Sequence, residues 1–239
     1  EAYLSKKLVT IDTQVPIEFD LNDMNCNLID FSEMHKQLNK LEIYTFDSFF
    51  VENSLFENND KVEIKDKIKK DYKLVNNKIA LRNLVSLIKK NEMISIDLET
   101  DNINSIDANI VGISISFKPN TGYYIPIQSP SKNNVNINDV LDSLLPIFNS
   151  NKYKFIGQNI KYDITVLRKY GVKIKNIYFD TMIAESLISP EKNRYNLSVL
   201  SQSYLNYEMQ EIEELIGDKK DQITMDKVPI EKIVFYACE

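Results

Sequence analysis

Three short segments of this chain carry residues whose type and spacing could do chemistry. The first is MISIDLET, residues 93–100. Read as a strand, it sets Ile94, Ile96 and Leu98 on one face and Ser95, Asp97 and Glu99 on the other. Two carboxylates on one face of an apolar strand are costly unless a cation or hydrogen-bond donors compensate. Hard divalent cations favour such oxygen ligands. The plain alternative is the solvent face of an edge strand. The second segment is GQNIKYD, residues 157–163, where a short apolar strand gives way to a helix. Asn159 and Asp163 stand four apart and so share a helix face. An asparagine at a helix start also serves as a cap, whereas Asp163, one turn in beside Ile164, Val166 and Leu167, is not explained by capping. The third is PIEKIVFYACE, residues 229–239, a helix opened by Pro229. Its Tyr236 would also suit an ordinary core or rim aromatic.

The elements that must hold these residues follow from periodicity. Residues 78–92 form an amphipathic helix that feeds the strand at 93–100. Residues 109–117 and 122–127 read as two strands in hairpin succession. A helix over 137–149, a short strand over 153–158 and a helix over 161–171 with Gly171 at its C-terminal cap come next. From about residue 180 onward the chain reads as mainly helical. Strands, a crossover helix, a further strand and several helices indicate an α/β fold with a mixed sheet. Before residue 70 the pattern is less complete. Residues 6–21 alternate like an edge strand or extended tail, residues 31–43 have helical spacing, and residues 52–72 have the polar, charge-dense composition of a linker.

Composition narrows the classes. No run reaches the roughly 20 apolar residues of a membrane helix, and no signal peptide precedes the first strand-like segment. Cys26 and Cys238 make no metal or disulfide pattern and read as reduced thiols of a cytoplasmic protein. His35 is the single histidine, which excludes histidine-based catalysis. The formal net charge of −6 argues against polyanion binding over the whole surface. Lys152, Lys154, Lys161, Arg168, Lys169, Lys173 and Lys175 nevertheless form a strip that could guide a phosphate backbone. A solvated lysine-rich face fits the strip as well. With no coiled coil or large apolar face in the pattern, a monomer is expected.

The three segments together resemble the motifs of the DEDDy exonucleases: D-x-E on a strand, N-x-x-x-D at a strand–helix junction, and a tyrosine on a late helix. IDLETDNINSIDANIVGISISF, YYIPI, IGQNIKYDITVLRKYGV, FDTMIAESLISP, NLSVLSQSYL and YACE are similar, in that order, to the 3′→5′ proofreading exonuclease domain of bacterial family A DNA polymerases. The resemblance covers residues 71–239. It implies a ribonuclease H-like mixed sheet flanked by helices. Residues 4–21 resemble the tail of the 5′-nuclease domain that precedes the exonuclease in such polymerases. The organisation it implies is a partial nuclease tail at 1–50, a linker at 51–70 and the exonuclease domain at 71–239, truncated at its C-terminus. The family places its last metal-binding aspartate four residues past the tyrosine, which would be position 240. Glu239 is its neighbour on the helix and no obvious substitute.

By the same resemblance the reaction is hydrolysis of the terminal phosphodiester at a single-stranded DNA 3′ end, releasing a nucleoside 5′-monophosphate. Two divalent metal ions, Mg²⁺ with Mn²⁺ as a substitute, would flank the scissile phosphate roughly 3.5–4 Å apart. Asp97 would bridge them, Glu99 would hold one and orient the attacking water, and Asp163 would serve the other. Tyr236 would position that water; with a phenol pKa near ~10 it is a poor base at neutral pH. Ile103 would wedge between the last bases, and Gln158, Asn159, Tyr162 and Arg194 would contact the frayed strand. A polymerase domain in cis is the implied partner. Two rivals stay open: a structural spacer domain that does no catalysis, and an RNA-trimming exonuclease of the ribonuclease D type.

Overall fold

The computed structural model describes residues 2–12, 14–16, 20, 30–41, 43, 69–131, 134–205, 207–217 and 222–239. The chain divides into two compact units, Glu1–Asp66 and Lys67–Glu239. The expected linker over 51–70 lies outside the described residues except for its last two positions, and Cys26 lies outside them too.

In the first unit, α1 spans Ala2–Val9 and α2 spans Phe31–Lys40. The helix α1 overturns the extended reading for residues 6–9. Tyr3, Leu4 and Leu8 recur at helical spacing, a pattern that begins before the segment read as alternating. The helix expected over 31–43 is present and ends three residues sooner.

The second unit is built on one six-stranded sheet of order β1-β4-β3-β2-β5-β6. Its strands are β1 (Asp71–Leu74), β2 (Met93–Thr100), β3 (Ile110–Ser116), β4 (Thr121–Pro126), β5 (Lys154–Gly157) and β6 (Ile177–Asp180). β2, β3 and β4 form an antiparallel meander; β1 joins β4, β5 joins β2 and β6 joins β5 in parallel. The fold is an α/β, ribonuclease H-like mixed sheet with helices on both faces. β1 and β6 were not read from the sequence. Each is four residues long; β1 alternates only between exposed and half-buried positions, and Ile177, Tyr178 and Phe179 of β6 are all exposed.

One face of the sheet carries the main core. Ile94, Ile96, Leu98, Ile113, Ile115, Ile125 and Phe155 lie against α3 (Lys78–Ile88), α4 (Ile137–Phe148) and α5 (Ile160–Lys169). The strand alternation seen in residues 93–100 thus serves as a core face. A second cluster, with Val111, Tyr124, Leu215, Met225, Val228, Ile230 and Ile233, lies between the opposite face and the C-terminal helices. Those are α6 (Thr181–Ile188), α7 (Leu197–Leu205), the short α8 (Glu213–Ile216), a 3₁₀ turn at Met225–Lys227 and α9 (Ile230–Cys238). Among the described residues no helix is long and apolar enough to cross a membrane.

Candidate active site

Asp97 and Glu99 stand on the sheet face opposite the main core, as alternation requires. Directly across on β3, Ser114 registers with Asp97 and Gly112 with Glu99; Ser116 registers with Ser95. These small residues leave the sheet floor low, and a cleft of about 1260 Å³ opens above it. Asp97, Glu99, Gln158, Tyr236 and Glu239 all line that cleft. The β2–β3 register slips between Glu99 and Thr100, leaving Val111 as the extra residue of a bulge. A bulge bends its strand and re-aims the side chains beside it; here it marks the position of Glu99.

The second carboxylate support comes from the β5–α5 junction. β2 and β5 pair only over Met93–Ser95 with Lys154–Ile156. Beyond that point the strands part, and Asp163 of α5 enters the gap to accept a 3.0 Å hydrogen bond from the Leu98 N–H. Asp163 therefore touches the backbone between Asp97 and Glu99. Asn159, at the start of α5, adopts left-handed backbone (φ 52°, ψ 39°) and makes no side-chain cap. The cap is supplied by Asp180, the last residue of β6. Its carboxylate accepts from the N–H groups of Asn159 (3.1 Å) and Ile160 (2.9 Å) and from those of Met182 (2.9 Å) and Ile183 (3.2 Å). One buried aspartate thus joins the N-termini of α5 and α6.

The third support is α9, laid across β1–β4 with Ile230 and Ile233 buried beneath it and Tyr236 facing the cleft. Its approach depends on Gly122: a Cβ there would stand 2.5 Å from the Cys238 Cβ and 3.1 Å from its Cα. The end of α9 is pinned by Glu239. That carboxylate accepts from Lys70 Nζ at 2.7 Å, from the Gln210 N–H at 2.6 Å and from the Tyr207 hydroxyl. The Lys70 ammonium also lies over the Phe235 and Tyr207 rings, 4.3 and 4.8 Å from their centroids. Burial opposes the Glu239 charge, but these donors outweigh it and hold the carboxyl below its ordinary value. With its oxygens thus engaged, Glu239 serves α9 rather than the acid cluster.

The electrostatics of the three acids follow first from burial and, for Glu99 and Asp163, then from their neighbours' charge. Loss of hydration lifts Asp97 to about 6 although its edge opens to solvent. Asp163 rises to about 8, first through burial and then through the Asp97 charge, against the pull of the Leu98 N–H. Glu99 is raised well above the usual carboxylate range by burial, Asp97 and Asp163 in turn. Burial and then the charges of Glu99 and Asp97 push the Tyr236 phenol far up, so it stays protonated at any physiological pH.

Of the expected substrate contacts, Gln158 alone lines the cleft, and its amide is engaged at both ends: Nε2 donates to the Tyr195 carbonyl at 2.6 Å and Oε1 accepts from the Thr181 hydroxyl. Tyr162 shares a 2.6 Å hydrogen bond with Thr100 and donates to the Asn102 carbonyl, tethering the loop after β2. Ile103 stands on that loop 97% exposed. Arg194 is exposed in the loop between α6 and α7. Ile103, Asn159, Tyr162 and Arg194 do not line the cleft. Sequence reasoning missed Asp180, although an aspartate ahead of an apolar helical run is a cap signal. It also missed Lys70 and Tyr207, whose link to Glu239 leaves no local pattern.

A 3′-5′ exonuclease family profile of the DNA polymerase A type matches residues 72–239. The chain belongs to that family. Over its whole length it is 31% identical to the DNA polymerase I of Borreliella burgdorferi and 24% identical to that of Pseudomonas aeruginosa, covering 27% of each. The DNA polymerase I of Chloroflexus aurantiacus is 31% identical over 69% of this chain and 17% of its own. The chain thus spans about a quarter, or less, of the length of these relatives. Among solved structures, the Trypanosoma brucei RNase D:GMP complex has a TM-score of 0.56 at 13% identity, over 71% of this chain and 54% of that one. The catalytic core of RRP6 from the same organism has a TM-score of 0.54 at 15% identity, over 73% and 44%. These two likenesses show the shared fold.

Proposed function

We propose that the chain is the proofreading region of a DNA polymerase I. On this reading it removes nucleoside 5′-monophosphates from single-stranded or mispaired DNA 3′ ends, with the polymerase domain in cis. The observation that carries the reading is that Asp97, Glu99 and Tyr236, from β2 and α9, line one cleft, with Asp163 of α5 bonded to the strand between the two acids, in a chain of the 3′-5′ exonuclease family.

The donor set fits divalent metal. Burial lifts all three acids, and neighbouring carboxylates raise Glu99 and Asp163 further; a hard cation offsets both effects while taking oxygen ligands. Among the described residues no three acid, histidine or cysteine side chains already close around one point, so the carboxylates stand near one another without forming a finished ligand ring. Asp97, Glu99 and Asp163 would hold the ions, Mg²⁺ or Mn²⁺. Such ions supply charge neutralisation at the phosphate and an acidified water.

The chain's own residues do the rest. The Leu98 N–H fixes one Asp163 oxygen and leaves the other to a ligand. The Tyr236 phenol, unable to ionise, donates a hydrogen bond that orients the attacking water and does not act as its base. The Asp180 caps and the Gly122–Cys238 contact set α5 and α9 at the distance this geometry needs.

The test is degradation of a 5′-labelled primer with a mispaired 3′ end, by this chain and by the complete polypeptide of which, on this reading, it forms part. A one-nucleotide ladder with Mg²⁺ or Mn²⁺, erased by chelation, and nucleoside 5′-monophosphates as product are expected. Preferential trimming of an RNA primer would favour the ribonuclease D-type reading instead. No trimming of either primer with either metal would favour a spacer domain.

A further inference from the structure

The sheet floor beneath Glu99 holds a polar atom that the mechanism leaves unused. Tyr124 of β4 is fully buried, and its phenol oxygen has no hydrogen-bond partner. Burying a hydroxyl unpaired is unfavourable, and phenylalanine would fill the same space without that penalty. The sheet register tells where the hydroxyl points. Tyr124 pairs with Ser114, and Ser114 with Asp97, so Tyr124 shares the face of the two acids. Its ring lies over Gly112, where a Cβ would come within 2.1 Å of the phenol oxygen. Gly112 is the registered partner of Glu99. Directly opposed residues hold their Cβ positions about 5 Å apart, which puts the Tyr124 oxygen within reach of a carboxylate two bonds beyond the Glu99 Cβ. After burial, Glu99 is the largest influence on this phenol. Among the described residues no donor bonds the Glu99 carboxylate.

We propose that the Tyr124 hydroxyl is a positioning donor for Glu99, holding its carboxylate directly or through one water in the orientation that binds metal. The inference rests on the reading of Glu99 as a ligand. It gives Gly112 a purpose as well, since any side chain there would displace the phenol. Tyr236 then flanks Glu99 from α9 while Tyr124 supports it from β4.

The test compares wild type, Tyr124→Phe and Asp97→Ala versions of this chain by Mn²⁺ titration, by melting in chelator, and by crystal structures with Mn²⁺. Partners that orient metal ligands are worth roughly 10–100-fold in metal affinity. Tyr124→Phe is therefore expected to weaken Mn²⁺ binding about tenfold or more without lowering the melting midpoint in chelator, a pattern a packing role would not give. Equal Mn²⁺ affinity in wild type and Tyr124→Phe, where Asp97→Ala loses binding, overturns the assignment. If wild type and Asp97→Ala bind Mn²⁺ alike, the metal reading fails, and the crystal structure alone decides Tyr124. A phenol oxygen within hydrogen-bond distance of Glu99, or sharing a water with it, upholds the assignment; a phenol bonded elsewhere overturns it.

Discussion

Carboxylates drawn out of water beside one another have a measurable consequence for the folded state. Asp97 and Asp163 both rise from an ordinary 3.8, to about 6 and about 8. Between those limits the folded protein binds more protons than the unfolded chain, so stability falls as pH rises. In chelator, the melting midpoint is expected to decline from about pH 4 to about pH 8, and Asp163→Asn should flatten the upper part of that decline. Added Mg²⁺ or Mn²⁺ should raise the midpoint more at pH 8 than at pH 5. Melting that is independent of pH in chelator would contradict these raised carboxylates. The Asp97–Glu99 pair was legible in the sequence because residues i and i+2 on a strand share a face. The contact that places Asp163 against Leu98 spans 65 residues, and that of Lys70 with Glu239 spans 169. Neither leaves a periodic trace, so the motifs marked which residues mattered and not how they meet.

At the scale of elements, the site depends on how two helices are seated. Asp180 caps α5 and α6 together, and each such cap is worth about 0.5–2 kcal/mol. Asp180→Ala is expected to destabilise the chain by about 2–3 kcal/mol in urea unfolding, and to lower nuclease activity further because α5 carries Asp163. Asp180→Asn, which keeps an acceptor oxygen, should recover part of the stability. A loss below 0.5 kcal/mol would mean that the caps do not hold these helices. Gly122→Ala should cost about 1–3 kcal/mol through overpacking against Cys238 and shift α9 with Tyr236. Most of these elements were legible: the strand at 93–100 and the helices around it follow from apolar periodicity. β1 and β6 were not, since a four-residue edge strand such as Ile177–Asp180 with exposed apolar side chains shows no alternation between buried and exposed positions. Residues 6–9 of the opening helix Ala2–Val9 were read as extended because the apparent alternation over residues 6–21 drew the reading.

Across the exonuclease unit, the cleft joins residues from Lys70 to Glu239, so its first and last described segments close the same site. The Lys70–Glu239 pair is the tie between them, with Glu239 almost wholly covered and Lys70 about three-quarters so. Removing one partner of a buried pair leaves the other charge uncompensated. Lys70→Met should therefore cost about 3 kcal/mol by chemical denaturation, and a cost near zero would show that α9 is held by its apolar face alone. The acidic net charge was legible from composition, but the cleft was not, because it arises from small residues on neighbouring strands. The most direct measurement is the single-turnover rate of 3′-terminal nucleotide release from single-stranded DNA with Mg²⁺. It compares the complete polypeptide, proposed above to be a DNA polymerase I, with its Asp97→Ala version. A fall of at least a thousandfold, with polymerisation retained, is the expected result. Equal rates for the two would contradict the assignment of the site.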